Sequence, residues 1–334
     1  MQALAAQQAP VAEGVPVIDL ALLEAGPEAA DALARQVDEA LVRIGFFIIV
    51  NPGVPRELVQ AADRSARAFF DLSMPQKTAI ASTAKGSPRG YVPIGRSVLG
   101  RTMGEAPPVD LKEGFGMGPQ ELPDDVDPSA QGFYSPNVWP AQMPALRRDL
   151  LAYYAAMEGL SRRMFRLFAR ALKLPLDFFE RCFQSHNCTL RVNHYPAQNT
   201  APLPGQLRGG PHTDYGVFTI LLSQNASGGL QVRTRAGQWL DIVAPPDAFV
   251  VNIGDMMMRW TNDHWLSNLH RVVNPDAQHA KTERRQSIAF FANPREDMSI
   301  ECIPTCMSED NPPRHPPVQA GAYRLKKIRA AAGD

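Results

Sequence analysis

Two side chains in Gly210-Pro211-His212-Thr213-Asp214-Tyr215-Gly216 carry the first sign of chemistry: His212 and Asp214. In an extended segment, residues two apart point to the same side, so an imidazole and a carboxylate can converge on one centre. A further histidine would complete a two-histidine, one-carboxylate facial triad, which leaves positions open on the opposite face of an Fe(II) ion. His270, in Leu269-His270-Arg271-Val272-Val273, is the natural third ligand, because it opens a strand whose apolar residues enter a core. Asp255 and His264 are rivals, but each lies in turn-like sequence with no apolar run to hold it. On spacing alone, ordinary hydrogen bonding of these histidines stands as an alternative to metal.

A second cluster bears on the same chemistry. In Glu283-Arg284-Arg285-Gln286-Ser287-Ile288-Ala289-Phe290-Phe291, strand periodicity puts Arg285 and Ser287 on one face. An arginine turned towards an interior needs an anion, and its planar fork suits a carboxylate bidentately. Ser287 adds a hydroxyl two residues on, and Tyr195, in Leu190-Arg191-Val192-Asn193-His194-Tyr195-Pro196, offers another. An interior salt bridge to a protein acid is the other reading of Arg285.

These residues need a scaffold of strands. From about residue 188 to 292 the sequence breaks into short strand-like runs: Thr189–Tyr195, Gly216–Leu222, Gly229–Arg233, Trp239–Ile242, Ala248–Ile253, His270–Val273 and Gln286–Phe291. Turn residues separate them and no long helix intervenes, which predicts an antiparallel sandwich or barrel rather than a βαβ sheet. Before it, apolar residues at helical spacing predict helices over 27–43, 55–70 and 144–173. Residues 84–143, rich in glycine and proline, read as a long covering region, and a short helix over 318–330 closes the chain. The expected organisation is a tail (1–14), a helical and covering region (15–183), a jelly-roll core (184–300) and a C-terminal loop and helix (301–334) packed on it.

Composition narrows the class. The 334 residues carry 34 Lys+Arg against 34 Asp+Glu, so no long-range field draws nucleic acid or anionic lipid. Apolar residues make up 45%, ample for a core. The four cysteines, Cys182, Cys188, Cys302 and Cys306, form no CxxC pair, and residues 1–14 lack a basic segment followed by an apolar one. Together these predict a cytoplasmic protein with free thiols and no membrane partner. Neither GxGxxG nor a phosphate-binding GxxxxGK[ST] run occurs. Oligomeric state is not readable, with a monomer slightly favoured.

With His212, Asp214, His270, Arg285 and Ser287 assembled, the sequence resembles the isopenicillin N synthase-like branch of the iron(II)- and 2-oxoglutarate-dependent dioxygenases. Signatures fall in the family's order from about residue 15 to 328. They are Val15-Pro16-Val17-Ile18-Asp19-Leu20, Gly45-Phe46-Phe47, Arg89-Gly90-Tyr91, Asp110-Leu111-Lys112-Glu113-Gly114-Phe115 and Trp139-Pro140. Next come Asn193-His194-Tyr195-Pro196, His212-Thr213-Asp214-Tyr215-Gly216, Gly228-Gly229-Leu230-Gln231-Val232, Asn252-Ile253-Gly254-Asp255 and Arg285-Gln286-Ser287. One departure is Asn51-Pro52-Gly53, where the family has Asn-His-Gly in a surface turn.

The resemblance implies a mainly β, double-stranded β-helix (jelly-roll) core with flanking N-terminal and central α-helices. It implies Fe(II) on His212, Asp214 and His270, and 2-oxoglutarate on Arg285 and Ser287 with help from Tyr195. The implied activity is hydroxylation of a small polar molecule with O2, releasing succinate and CO2. Desaturation or oxidative cyclisation by the same site is an alternative. So is an iron oxidase of the isopenicillin N synthase kind, which uses no 2-oxoglutarate; a jelly-roll binding protein with a vestigial metal site is the non-enzymatic alternative. Within the branch the sequence is most similar to thymine 7-hydroxylase-like microbial hydroxylases, which puts Arg191, Tyr215 and Phe291 around the substrate. Asn193, two residues from Arg191 on the same strand, extends the polar end of that pocket. A structural pair for Arg191 and a core position for Phe291 are the competing readings.

Overall fold

The computed structural model describes residues 14–81, 89–96, 98–104, 107–121, 134–224 and 228–332. Residues 1–13 of the expected tail, and parts of the expected covering region, lie outside them. From the N-terminal side, β1 (Val17–Asp19), α1 (Pro27–Arg43), β2 (Phe46–Val50), α2 (Arg56–Phe70) and α3 (Met74–Thr78) lead to β3 (Gly90–Val92) and β4 (Glu113–Met117). The long α4 (Pro144–Ala171) and one-turn α5 (Glu180–Phe183) precede β5 (Thr189–Tyr195), β6 (Gly209–His212), β7 (Phe218–Gln224), β8 (Leu230–Arg233), β9 (Trp239–Asp241) and β10 (Phe249–Ile253). The chain continues through α6 (Asp255–Trp260), β11 (His270–Val272), β12 (Arg285–Ala292), β13 (Ser299–Ile300), β14 (Val318–Gln319) and α7 (Ala320–Ala332).

The helices form where apolar residues recur every three or four positions. In α1 the buried set is Ala30, Leu33, Ala34, Val37, Ala40 and Leu41, and Pro27 starts the helix where a missing N–H costs nothing. Gly45, at φ 73°, lets the chain turn straight into β2; a Cβ there would lie 2.0 Å from the Leu266 carbonyl oxygen, so only glycine fits. The helix expected to reach Lys173 stops at Ala171, because Lys173 takes a left-handed φ of 56°. No helix among the described residues is long and apolar enough to cross a membrane.

Among the described residues the major sheet runs β1-β2-β10-β7-β12-β5-β4-β3, and a minor sheet runs β6-β11-β8-β9. β1 pairs with β2 in parallel and the remaining pairings are antiparallel. Between β5 and β12 the chain passes repeatedly from one sheet to the other, which is the winding of a double-stranded β-helix.

The major sheet is covered on both sides, and its two faces have different work. Phe47, Ile49, Val251, Ile253, Ile288 and Phe290 join α1, α2 and α4 in one large apolar cluster. Each such buried side chain contributes about 1.5–3 kcal/mol, so this face can hold the fold together. The opposite face meets the minor sheet through a smaller cluster that includes Phe46, Ile48, Val250, Leu230 and Val272. Apolar burial is thin there, which leaves space for a cavity.

The region expected only to cover the core does more than that. Its β3 and β4 extend the major sheet past β5, with Gly114 opposite Asn193 and Gly116 opposite Arg191. β6 is likewise a strand that no apolar run announced. The C-terminal helix begins at Ala320, because Val318 and Gln319 pair with β13 instead.

Candidate active site

Between the two sheets lies a cavity of about 380 Å³. Along β5 and β12 every second side chain faces it, so Arg191, Asn193 and Tyr195 line it beside Arg285, Ser287 and Phe291. His212 ends β6, His270 opens β11, and the pairing of those strands sets the two imidazoles directly opposite each other, with ring centres 4.2 Å apart. Asp214 follows in the loop after β6. Ligand atoms of His212, Asp214 and His270 all lie within 4.8 Å of one another. Among the described residues no other three His, Cys, Asp or Glu side chains converge in this way.

Neighbouring groups aim each of these side chains. His212 Nδ1 is 2.8 Å from the Gly210 carbonyl and His270 Nδ1 is 3.1 Å from that of Asn268, which turns both Nε2 atoms inward. Asp110, from the expected covering region, accepts the Gly210 N–H at 2.9 Å and so fixes the carbonyl that orients His212. Asp214 Oδ2 accepts hydrogen bonds from Thr219 at 2.5 Å and Asn252 at 2.7 Å, leaving Oδ1 facing His270 Nε2 at 3.7 Å. Burial, then the neighbouring His270, pushes His212 down to about 3, so its imidazole is neutral and its lone pair available. Burial alone would raise the Asp214 carboxyl; the two histidines and its two hydrogen bonds outweigh this and hold it below the usual range. A neutral imidazole and an ionised carboxylate are the forms a divalent cation needs.

The loop carrying Asp214 is clamped by close backbone contact. A Cβ on Gly254 would fall 2.3 Å from the Gly216 carbonyl oxygen, and one on Gly216 would fall 2.4 Å from Asn293 Oδ1. The Asp255 N–H donates to the Asp214 carbonyl at 2.8 Å. The rival ligands are occupied elsewhere. Asp255 begins α6 and binds Ser267, Tyr323 and Lys327, while His264 is exposed and pairs with Asp38 at 2.8 Å.

At the far end of the cavity, Arg285 is fully buried without a carboxylate partner among the described residues. Its Nη2 donates to Ser223 Oγ at 2.8 Å, its Nε to the Gly228 carbonyl at 3.3 Å, and its guanidinium packs 4.9 Å from the Tyr195 ring centre. Nη1 is buried with no acceptor among the described residues. Burial pulls its pKa down, the mark of a charge held out of water. An interior salt bridge for Arg285 is therefore ruled out among these residues. Gln286, between Arg285 and Ser287, points to the other face and ties β12 to α2 through Asp63 at 2.7 Å.

Residues 186–294 match the family described as the 2OG-Fe(II) oxygenase superfamily, and residues 15–142 match the N-terminal family described as non-haem dioxygenase in morphine synthesis. The chain is 34% identical over 329 residues to the 2-oxoglutarate-Fe(II) type oxidoreductase hxnY of Emericella nidulans, covering 95% of this chain and 91% of that protein. It belongs to the 2OG-Fe(II) oxygenase superfamily. A 2OG-Fe(II) oxygenase family protein from Caulobacter crescentus superposes with a TM-score of 0.81 at 33% identity, covering 94% of this chain and 98% of that one. The thymine 7-hydroxylase of Neurospora crassa, solved with alpha-KG and thymine, superposes at 0.82 with 28% identity, covering 95% and 96%.

This oxygenase uses Fe(II) and 2-oxoglutarate and hydroxylates a small molecule. The donor set fits both groups: two imidazole nitrogens and one free carboxylate oxygen converge for a metal, and a buried guanidinium nitrogen without an acceptor among the described residues suits an anion. All ten residues assigned from the sequence to metal, 2-oxoglutarate or substrate line the one cavity, and the rivals Asp255 and His264 do not. Phe291 is a cavity wall rather than core. No sequence motif included Ser223 or Thr219, and the signature Asn252-Ile253-Gly254-Asp255 gave no role to Asn252. Of these only Asn252 left a signal, as a polar residue inside the apolar run Phe249-Val250-Val251-Asn252-Ile253.

Proposed function

We propose that His212, Asp214 and His270 hold Fe(II), and that Arg285, Ser287 and Tyr195 hold the far carboxylate of 2-oxoglutarate. In this reading the enzyme hydroxylates a C–H bond of a small polar molecule set against Arg191, Asn193, Tyr215 and Phe291. The observation that carries it is the pairing, across one cavity, of three convergent ligand atoms with a buried arginine whose Nη1 lacks an acceptor among the described residues. When bound, the iron and 2-oxoglutarate supply the oxidising chemistry, with O2 as co-reactant and succinate and CO2 as products. The chain's own contribution is to position and to exclude. The two imidazoles and Asp214 offer three donors on one side only, Arg285 fixes one end of the cosubstrate, and the β5 and β12 side chains orient the substrate. The thymine complex of the Neurospora crassa enzyme shows that a relative at 28% identity accepts a flat polar ring, and Phe291 offers such a ring a stacking face.

The units 15–183, 184–300 and 301–334 are proposed to fold as one, supported by β3 and β4 completing the sheet that carries β5. A cytoplasmic location is proposed on the four free cysteines, which suit a reducing compartment. The test is titration of Mn(II) and then 2-oxoglutarate into the enzyme and an Asp214→Ala variant, with succinate measured under air with Fe(II). Wild type should bind both and release succinate, and the variant should lose metal binding and turnover while keeping its melting temperature within a few degrees. Wild type that neither binds 2-oxoglutarate nor releases succinate would transfer the reading to an oxidase without that cosubstrate.

A further inference from the structure

Arg191 is a second cation in the cavity without a protein counter-charge. It lies at the middle of β5, and its cross-strand neighbours are Gly116 on β4 and Ala289 on β12, neither of which can reach its guanidinium with a polar group. No described residue pairs with it; apart from Arg285, the basic residues set into the cavity wall have carboxylate neighbours. Lys112 lies 3.8 Å from Asp110, and Arg324 is bridged to Glu296. Tyr215, which follows Asp214 directly, presents a buried hydroxyl to the same cavity; Thr102 lies beside it without a hydrogen bond of good geometry. Burial depresses the Arg191 pKa, and Tyr215 is the polar neighbour that supports its charge.

The charge balance of the loaded site decides what that cation is for. This step rests on the Fe(II) and 2-oxoglutarate reading above. The ferrous ion, the dianionic cosubstrate, the Asp214 carboxylate and the Arg285 guanidinium cancel. Arg96 and Arg101 also line the cavity but are exposed to solvent, so Arg191 is left as the positive charge held inside without a partner, which is costly unless a ligand supplies the missing negative one. A monoanion matches it, and the fork of the guanidinium with the Tyr215 hydroxyl alongside suits a planar carboxylate. We propose that the substrate of this enzyme is a small monocarboxylic acid, anchored through its carboxylate by Arg191 and Tyr215, with the rest of the molecule directed past Asn193 and Phe291 towards the His212, Asp214 and His270 cluster.

The test uses matched pairs: benzoate, cyclohexanecarboxylate and hexanoate, each beside its primary amide. They are titrated calorimetrically into anaerobic Fe(II) enzyme saturated with 2-oxoglutarate, so the Arg285 end is already filled. Losing a charged hydrogen-bond partner weakens binding by about 30-fold or more, so at least one acid should bind that much more tightly than its amide. In Arg191→Gln the acid and amide should bind alike, Arg191→Lys should restore part of the preference, and 2-oxoglutarate affinity should stay at the wild-type value in both. Wild type that binds 2-oxoglutarate yet prefers none of the three acids over its amide overturns the proposal, and needs no variant to do so. Failure to bind 2-oxoglutarate at all would instead strike the reading beneath it.

Discussion

Replacing Arg285 with glutamine separates what this residue does for the fold from what it does for the cosubstrate. In the protein the guanidinium is fully buried and spends two nitrogens on neutral acceptors, Ser223 Oγ at 2.8 Å and the Gly228 carbonyl at 3.3 Å. Neither acceptor repays the cost of taking a full charge out of water, and Nη1 has no acceptor among the described residues. Glutamine keeps one donor for Ser223 and removes the charge. The ligand-free variant should therefore melt at or above the wild-type temperature, against the usual expectation for a core substitution. Binding of 2-oxoglutarate should move the other way. A guanidinium–carboxylate contact near 4 Å at an effective dielectric of 20 is worth about 4 kcal/mol, and truncating such a pair typically costs about 2–5 kcal/mol. At about 1.4 kcal/mol per tenfold, that is about 30-fold to several thousand-fold weaker binding. The assay is calorimetric titration of 2-oxoglutarate into the Mn(II) forms, alongside melts of the metal-free proteins. A variant that binds 2-oxoglutarate within about threefold of wild type, a difference under 1 kcal/mol, would refute the assignment of Arg285.

Two further outcomes follow from particular contacts. Gly254→Ala places a Cβ 2.3 Å from the Gly216 carbonyl oxygen and 3.1 Å from that of Asp214; overpacking of this kind costs about 1–3 kcal/mol, and displacing Asp214 should weaken Mn(II) binding in the same titration. Glu113, buried under β3, would be raised by burial alone, but His194 Nδ1 at 2.8 Å, Lys77 at 2.8 Å and the Tyr91 hydroxyl at 2.6 Å outweigh this and bring it down to about 2 from 4.5. Because the folded value is the lower one, its stabilisation is present above about pH 4.5 and is lost as pH falls towards 2, by about 2 kcal/mol after screening. Urea unfolding at pH 6 and 3.5 should show a smaller pH-dependent loss in Glu113→Gln than in wild type, and equal losses would count against this network.

What could be read from the sequence is what strand periodicity encodes. His212 with Asp214, and Arg285 with Ser287, were legible because residues two apart share a face. The third ligand was legible because His270 opens a strand whose apolar residues hold it. Register is not written that way. That Ser223 lies across from Ser287, within reach of Arg285, depends on how β7 aligns with β12, and nothing local to Ser223 announces it. β3 and β4 were missed for a related reason: Gly90, Gly114 and Gly116 have weak strand preference, and these segments become strands only because β5 supplies the partner. Asp110 stood in a quoted signature, but its hold on Gly210 was not legible, because the two residues meet only once the chain has folded.

The double coverage of the major sheet explains why chemistry and stability can share a strand. On β12 the residues alternate Arg285, Ser287, Ala289 and Phe291 towards the cavity with Gln286, Ile288, Phe290 and Ala292 towards the helices. β5 does the same, with Arg191, Asn193 and Tyr195 on one side and Leu190, Val192 and His194 on the other. A slip of one residue would exchange the two sets and bury charges in the apolar cluster, so register is strongly specified. The helix-side residues can therefore carry the uncompensated charges of Arg285 and Arg191 opposite them. The cavity face is free to be thermodynamically poor, which is the condition for ligands, rather than neighbouring side chains, to complete it.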